Sequence, residues 1–179
     1  GIFTLLSVHV PGSHCIAFEP NPTMAGILAD SLGLNPELGQ QSEVVVHVMA
    51  LGAGPRRKAY LHVLPAQTGL ARIDQGFTDR TDEIVIDVDI DTLDNVVGDL
   101  PALDLIKIDV EGMELDVIKG GEHTIRKFMP GILLEWWPPH TEHYGYHPSE
   151  IDALLASWGY KDREQVTATD VFYTGRNNA

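Results

Sequence analysis

Leu103-Asp-Leu-Ile-Lys-Ile-Asp-Val-Glu-Gly112 is the stretch whose reading decides the fold. Its apolar residues, Leu103, Leu105, Ile106, Ile108 and Val110, are β-compatible. Such a short apolar run predicts a strand buried on both faces of a parallel sheet. The run ends in Asp109, Glu111 and Gly112, and a helical pattern begins at once. Ligands of open α/β sheets bind outside the carboxyl ends of the strands. Two carboxylates at this end are therefore placed for a ligand. The plainer alternative is that they cap the helix, since acids favour helix N-termini.

Downstream, Val117, Ile118, Ile125 and Phe128 make an apolar helical face interrupted by Gly120-Gly121, which predicts two short helices. Residues 131–135 read as a buried strand ending in Glu135. Trp136-Trp-Pro-Pro-His140 opens a stretch rich in aromatic and His residues, and its prolines predict a loop. A helix follows from Ser149 with Ile151, Leu154 and Leu155, then a turn at Gly159 and a last strand from Asp170.

Upstream, residues 15–19 form a short strand stopped by Pro20-Asn21-Pro22, and Met24, Ile27, Leu28 and Leu32 mark an amphipathic helix. Residues 44–50 are the next strand. Residues 59–64 and 83–89 read as a pair forming an antiparallel excursion around 58–88, joined by a polar loop at 65–82 expected to be functional. Asp91-Thr92 caps a short helix through Val97. The alternation of strand and helix predicts one α/β domain over 1–179 with a doubly wound, mostly parallel sheet. The opening is unusual, because an apolar helical pattern starts at Gly1 with no strand before it. The domain is therefore expected to be N-terminally incomplete.

The chain has 179 residues and a formal net charge of −14, with Arg56-Arg57-Lys58 its only basic cluster. That balance argues against nucleic acid as a partner. No apolar run approaches the roughly 20 residues of a membrane span, and the apolar start lacks the basic n-region of a secretory signal. A cytoplasmic protein with no membrane partner is the expectation; oligomeric state is not legible. The single cysteine, Cys15, lies in an apolar run and reads as a buried, inert thiol.

Lys107 shares a strand face with Asp109 and needs a counter-charge, for which Asp109 and Glu135 are the candidates. His140, His143 and His147 have spacings that would suit a metal on a helix. In a loop those spacings guarantee no common face, so no metal is assigned; metal-dependent hydrolysis is the reading this sets aside. Trp136, Trp137, Tyr144 and Tyr146 offer aromatic surfaces for a sugar or a macrocycle.

Six segments occur in an order that resembles one known family. They are Gly1-Ile-Phe-Thr-Leu-Leu, Ala17-Phe-Glu-Pro-Asn-Pro22, Ala50-Leu-Gly52, Asp91-Thr-Leu-Asp94, Ile106-Lys-Ile-Asp-Val-Glu-Gly-Met-Glu114 and Pro130-Gly-Ile-Leu-Leu-Glu135. Together they look like the FkbM family of S-adenosylmethionine-dependent methyltransferases, closely to about residue 135 and more loosely after it. The resemblance implies a Rossmann-like sheet of the class I methyltransferase type and S-adenosylmethionine as cofactor. It implies methyl transfer to a hydroxyl of a small molecule or sugar, with a nitrogen acceptor or a non-catalytic binding module as alternatives. It makes Gly1 the last residue of a glycine-rich cofactor turn, Glu19 the ribose-binding acid, and Pro20 and Asn21 the wall of the adenosine pocket. Ala50 and Leu51 would flank the adenine, and Asp109 would lie beside the transferred methyl. Asp109, Glu111 and His140 are the candidates for catalysis.

Overall fold

The computed structural model describes residues 1–34, 42–64, 71–74 and 83–175. The chain divides into two compact units: Gly1–Ala50, Arg57–Pro65 and Ile73–Ile90 in the first, and Leu51–Arg56, Ala66–Arg72 and Asp91–Ala179 in the second.

The first unit opens with helix α1 (Ile2–Ser7), which leaves Ile2, Phe3 and Leu6 exposed. Strand β1 (His14–Phe18) leads through Pro20 to helix α2 (Pro22–Gly33). Asn21 caps this helix by accepting the Thr23 N–H, and Pro22 takes a first-turn position where its missing N–H is harmless. Strand β2 (Glu43–His47) pairs parallel with β1, His14 opposite Glu43 and Phe18 opposite His47. The Cys15 thiol is free and only half-buried, not enclosed as expected.

Strand β3 (Ala50–Leu51), β4 (Arg57–Val63), β5 (Ala71–Asp74) and β6 (Ile84–Asp91) make a sheet of order β3-β6-β4-β5. β4 and β6 are antiparallel, Arg57 opposite Ile90 and Val63 opposite Ile84, so the excursion around 58–88 is as expected. Ala59, Leu61 and Val63 of β4 and Val88 and Ile90 of β6 are buried. Of the 65–82 loop, residues 71–74 are β5 and the rest lies outside the described residues.

The second unit starts from helix α3 (Leu93–Val97), capped by the Thr92 hydroxyl accepting the Asn95 N–H. Next come β7 (Leu105–Ile108), the short helices α4 (Glu114–Gly120) and α5 (Glu122–Phe128), and β8 (Gly131–Glu135). Helix α6 (Pro138–His143), α7 (Ser149–Trp158), β9 (Arg163–Gln165) and β10 (Asp170–Tyr173) complete it. The break at Gly120-Gly121 has a packing cause. Any side chain at Gly120 would overlap the Gly52 carbonyl, and one at Gly121 would press on Leu93.

The sheet order is β7-β8-β10-β9. β7 and β8 are parallel, Leu105 opposite Gly131 and Ile108 opposite Leu134, while β10 is antiparallel to both β8 and β9. Ile118, Ile125, Ile132, Leu134, Leu155 and Val171 are wholly buried in the core between this sheet and the helices. Burying each stabilises the unit by about 1.5–3 kcal/mol relative to exposure.

Two expectations need correction. The α/β class holds, but the described sheets are small and mixed rather than one clear doubly wound parallel sheet. The parallel pairs β1–β2 and β7–β8 sit in separate sheets, and no described strand pairs with both. The β7 strand is also not buried on both faces. Among the described strands it pairs only with β8, and Leu105 is 57% exposed.

Candidate active site

The turn after β7 carries the chemistry of the second unit. Glu111 has φ +56 and Gly112 φ +109, so two successive residues occupy the positive-φ region. Glycine tolerates this; for Glu111 it is strain of the kind that clusters at functional sites. Glu114 holds the turn in place. Its side chain is 1% exposed, and Oε1 accepts the N–H groups of Val110 and Gly112 at 3.2 and 3.0 Å. The Tyr146 hydroxyl lies 3.0 Å from Glu114 Oε2 and 2.9 Å from the Gly112 carbonyl, and it accepts the Leu115 N–H. Burial and the Glu114 charge both push the Tyr146 hydroxyl far above its ordinary pKa, so it stays a neutral donor. The Leu115 N–H in the first turn of α4 is met by the Tyr146 hydroxyl and Glu114 serves the turn before the helix, which leaves Glu111 available.

Gly112 also sets the position of α6. A Cβ at 112 would stand 2.6 Å from the His140 carbonyl oxygen and 2.7 Å from the Tyr144 ring. Only a glycine lets the turn and α6 approach this closely. That helix corrects the expected loop at 136–143. Pro138 and Pro139 fill first-turn positions, where proline favours a helix start rather than a break.

The approach brings three proton-accepting side chains together. His140 Nδ1 lies 3.1 Å from Glu111 Oε2 and 3.6 Å from Glu135 Oε2, and one donor atom of each residue lies within 4.8 Å of the others. His140 Nδ1 is shielded from solvent yet makes no hydrogen bond. Glu111 is 24% exposed and Glu135 21%. Burial pushes the Glu111 carboxyl up to about 7; His140 pulls against this, and Glu135 and Asp109 add to it. Burial also raises Glu135, with Asp109 pushing the same way and His140 and Lys107 opposing.

Strand register explains why these groups converge. Ile108 is opposite Leu134, so Asp109 and Glu135 follow at the same end of the parallel pair. Asp170 of β10 stands opposite Glu135. Lys107 Nζ bonds Asp170 Oδ1 at 2.9 Å and lies 3.5 Å from Asp109 Oδ2. Asp170 is thus a counter-charge the sequence reading did not single out. Its carboxyl is held below the ordinary range, chiefly by the Thr167 hydroxyl and further by Lys107. Asp109 is the most open of these acids, its side chain 46% exposed.

The other histidines do not join the cluster through the contacts they make. His143 meets the Tyr144 ring edge-on, and His147 bonds Ser149 while meeting Trp136 edge-on. The aromatic residues are mostly structural. Tyr146 braces the turn, Tyr144 packs on Gly112, and Trp136 sits against the core with Arg163 over its ring. Trp137 is 41% exposed and keeps a free surface.

The first unit holds the residues expected to bind the cofactor's nucleoside. Glu19 extends the β1–β2 ladder through its N–H to the His47 carbonyl, and its Oε1 accepts the Asn21 N–H at 2.9 Å. That bond orients the carboxylate and leaves Oε2 for a ligand hydroxyl, so the acid fits a ribose. Asn21 is buried and spends its side-chain oxygen on the α2 cap, which limits it to shaping the wall. Gly1 is the exposed N-cap of α1 and Ala50 is buried, both in this unit; Leu51 belongs to the second.

Glu114 and Glu135 are the residues that sequence reasoning missed for this site. The signal for Glu135 was present, as the acid ending the strand next to β7. Glu114 had a fainter one, an acid flanked by Met113 and Leu115.

Among the described residues no helix is long and apolar enough to cross a membrane. Residues 3–161 match the model of the methyltransferase FkbM domain. The methyltransferase sdnD of Sordaria araneosa is 26% identical over 186 residues, which span 89% of this chain and 70% of that protein. The crystal structure of methyltransferase FkbM from Methylobacillus flagellatus KT superposes with a TM-score of 0.57 at 16% identity. The match covers 89% of this chain and 36% of that one, so this chain spans about a third of the solved protein's length, and the likeness is one of fold.

Proposed function

Because the chain belongs to the FkbM methyltransferase family, we propose that it moves the methyl group of S-adenosylmethionine to a hydroxyl oxygen of a small molecule or sugar. The observation that carries the reading is the Glu111–His140–Glu135 cluster, with a carboxyl poised near neutrality at a strained strand end.

Bound S-adenosylmethionine supplies an electrophilic methyl on a sulfonium. A hydroxyl is a poor nucleophile until its proton leaves, and a base of pKa near 7 is suited to take it. Glu111 is that base, and His140 and Glu135 are the groups beside it that share the proton's charge. Asp109, more open to solvent, passes the proton outward. Positioning provides most of the acceleration in such a displacement, which fits a turn fixed by Glu114, Tyr146 and Gly112. Glu19 receives the ribose hydroxyls, Pro20 and Asn21 shape the wall beside them, and Ala50 and Leu51 line the adenine. Trp137 offers a face to the acceptor.

Calorimetry of the full chain with S-adenosylhomocysteine tests the reading. Binding is expected, with Glu19→Ala weakening it by roughly tenfold or more through the loss of charge-assisted hydrogen bonds. No heat of binding to the folded protein would overturn it.

A further inference from the structure

We propose that Glu111, Glu135 and His140 hold one divalent cation of the manganese or zinc type. The inference deepens the reading of this cluster as the place of acceptor activation and rests on that reading for its chemical role, though not for the binding itself: with an ion held, Glu111 serves as a ligand and the ion takes over from it the task of acidifying the acceptor hydroxyl.

Three observations carry it. The first is spacing. Donors bound to one ion at about 2.0–2.2 Å stand roughly 3–3.6 Å from each other when adjacent. His140 Nδ1 is 3.1 and 3.6 Å from its two carboxylate neighbours, with all three residues offering donors within 4.8 Å. The second is the state of the ring nitrogen. A protonated His140 in a plain ion pair would direct Nδ1–H at one carboxylate. Instead Nδ1 is shut off from water and makes no hydrogen bond, although an acceptor is within reach. A lone pair aimed at an ion between the carboxylates gives that nitrogen a partner. The third is rigidity. Glu111 is held by the turn that Glu114 braces, His140 by the α6–Gly112 contact, and Glu135 by its place in the sheet between β7 and β10.

The donor set decides the ion. Two carboxylates and one imidazole suit manganese or zinc better than magnesium or calcium, which favour all-oxygen sites. Three protein donors also leave coordination positions open, the pattern of catalytic sites rather than structural ones. An acceptor with two neighbouring oxygens would fill them, so the substrate class this site favours is a vicinal diol or a hydroxy-carbonyl compound.

The test is a Mn2+ titration of the chelator-stripped full chain, without cofactor, followed by electron paramagnetic resonance of free Mn2+. One saturable ion per chain is expected, weakened roughly tenfold or more by Glu135→Gln and by His140→Ala. Glu122→Gln, which alters an exposed acid paired with Arg126, leaves it unchanged. Circular dichroism reports folding, and the isosteric Glu135→Gln decides the matter if His140→Ala does not fold. Absence of saturable binding, or equal binding in every variant, overturns the site. S-adenosylhomocysteine titrated into the same samples separates the two ideas. Cofactor binding without Mn2+ binding removes the cation and keeps the methyltransferase, and the converse result does the reverse.

Discussion

Gly112→Ala puts the strongest strain on the candidate site without touching a charged group. The φ of +109 lies beyond the small left-handed region that L-residues use, which costs on the order of 1–3 kcal/mol. The new methyl would also stand 2.6 Å from a backbone oxygen, that of His140, and an oxygen in a helix cannot swing aside as a side chain would. Forced overlap of this kind costs about 1–3 kcal/mol more. The expected loss is therefore about 2–6 kcal/mol, against a typical domain stability of about 5–15 kcal/mol. Gly54→Ala is the matched control. Its φ is +80 and a Cβ there meets nothing within 4 Å, so it bears the backbone cost alone, about 1–2 kcal/mol. Urea unfolding followed by circular dichroism compares the two. Methyl transfer, assayed where both remain folded, should fall in Gly112→Ala, because α6 and His140 must retreat from Glu111. Equal destabilisation within about 0.5 kcal/mol, or an unchanged rate in Gly112→Ala, would refute the claim that this glycine sets the site's geometry.

Glu111→Gln should lower kcat by about 10²–10⁴-fold with S-adenosylhomocysteine affinity unchanged, as read by steady-state kinetics and calorimetry; an unaltered rate removes Glu111 as the base. Glu114→Ala leaves the Val110 and Gly112 N–H groups, the second of them buried, without their partner and should cost about 1–3 kcal/mol in a denaturant titration. Glu114→Ala and Tyr146→Phe should be non-additive, with a coupling of about 0.5–3 kcal/mol, and simple additivity would break the network described for the turn. Asp170 has its folded pKa held below the ordinary 3.8, so it stabilises the fold above that value and the benefit fades as pH falls through the lower, folded one. Asp170→Asn should therefore be less stable than the natural protein at neutral pH and approach it in strong acid. A stability difference independent of pH would mean that the carboxylate's charge is not what Lys107 and Thr167 stabilise.

Much of this chain is legible because its local signals agree with its fold. Thr92 sits where a cap belongs, the glycine pair at 120–121 splits a helix, and the alternation at 83–89 marks a strand of an antiparallel pair. Strand partnership was not legible. The residues of β1 and β7 read alike as parallel strands, but which strands share a sheet depends on contacts between distant parts of the chain. The helix at α6 was hidden because Pro-Pro reads as a break unless its position in the first turn is known. Within the candidate site, Asp109 and Glu111 stand out as acids at a strand end. The convergence of Glu135 and His140 on Glu111 follows from register and from one glycine contact, and neither is a property of composition. Lys107 shows the same limit, since the acid it bonds most closely is 63 residues away.

That separation has a consequence for how the protein is made. At synthesis rates of about 5–20 residues per second, Asp170 is joined to the chain about 3–13 seconds after Lys107. Until β10 emerges in its turn, the far edge of β8 has no partner to close it and the lysine lacks its main counter-charge. The charge balance of the cluster is thus completed by a segment translated well after the turn that carries Glu111. A nascent chain halted before residue 170 would expose an unpaired strand edge, the kind of surface that recruits chaperones, and would carry the Glu111–Gly112 turn without the electrostatic setting around it.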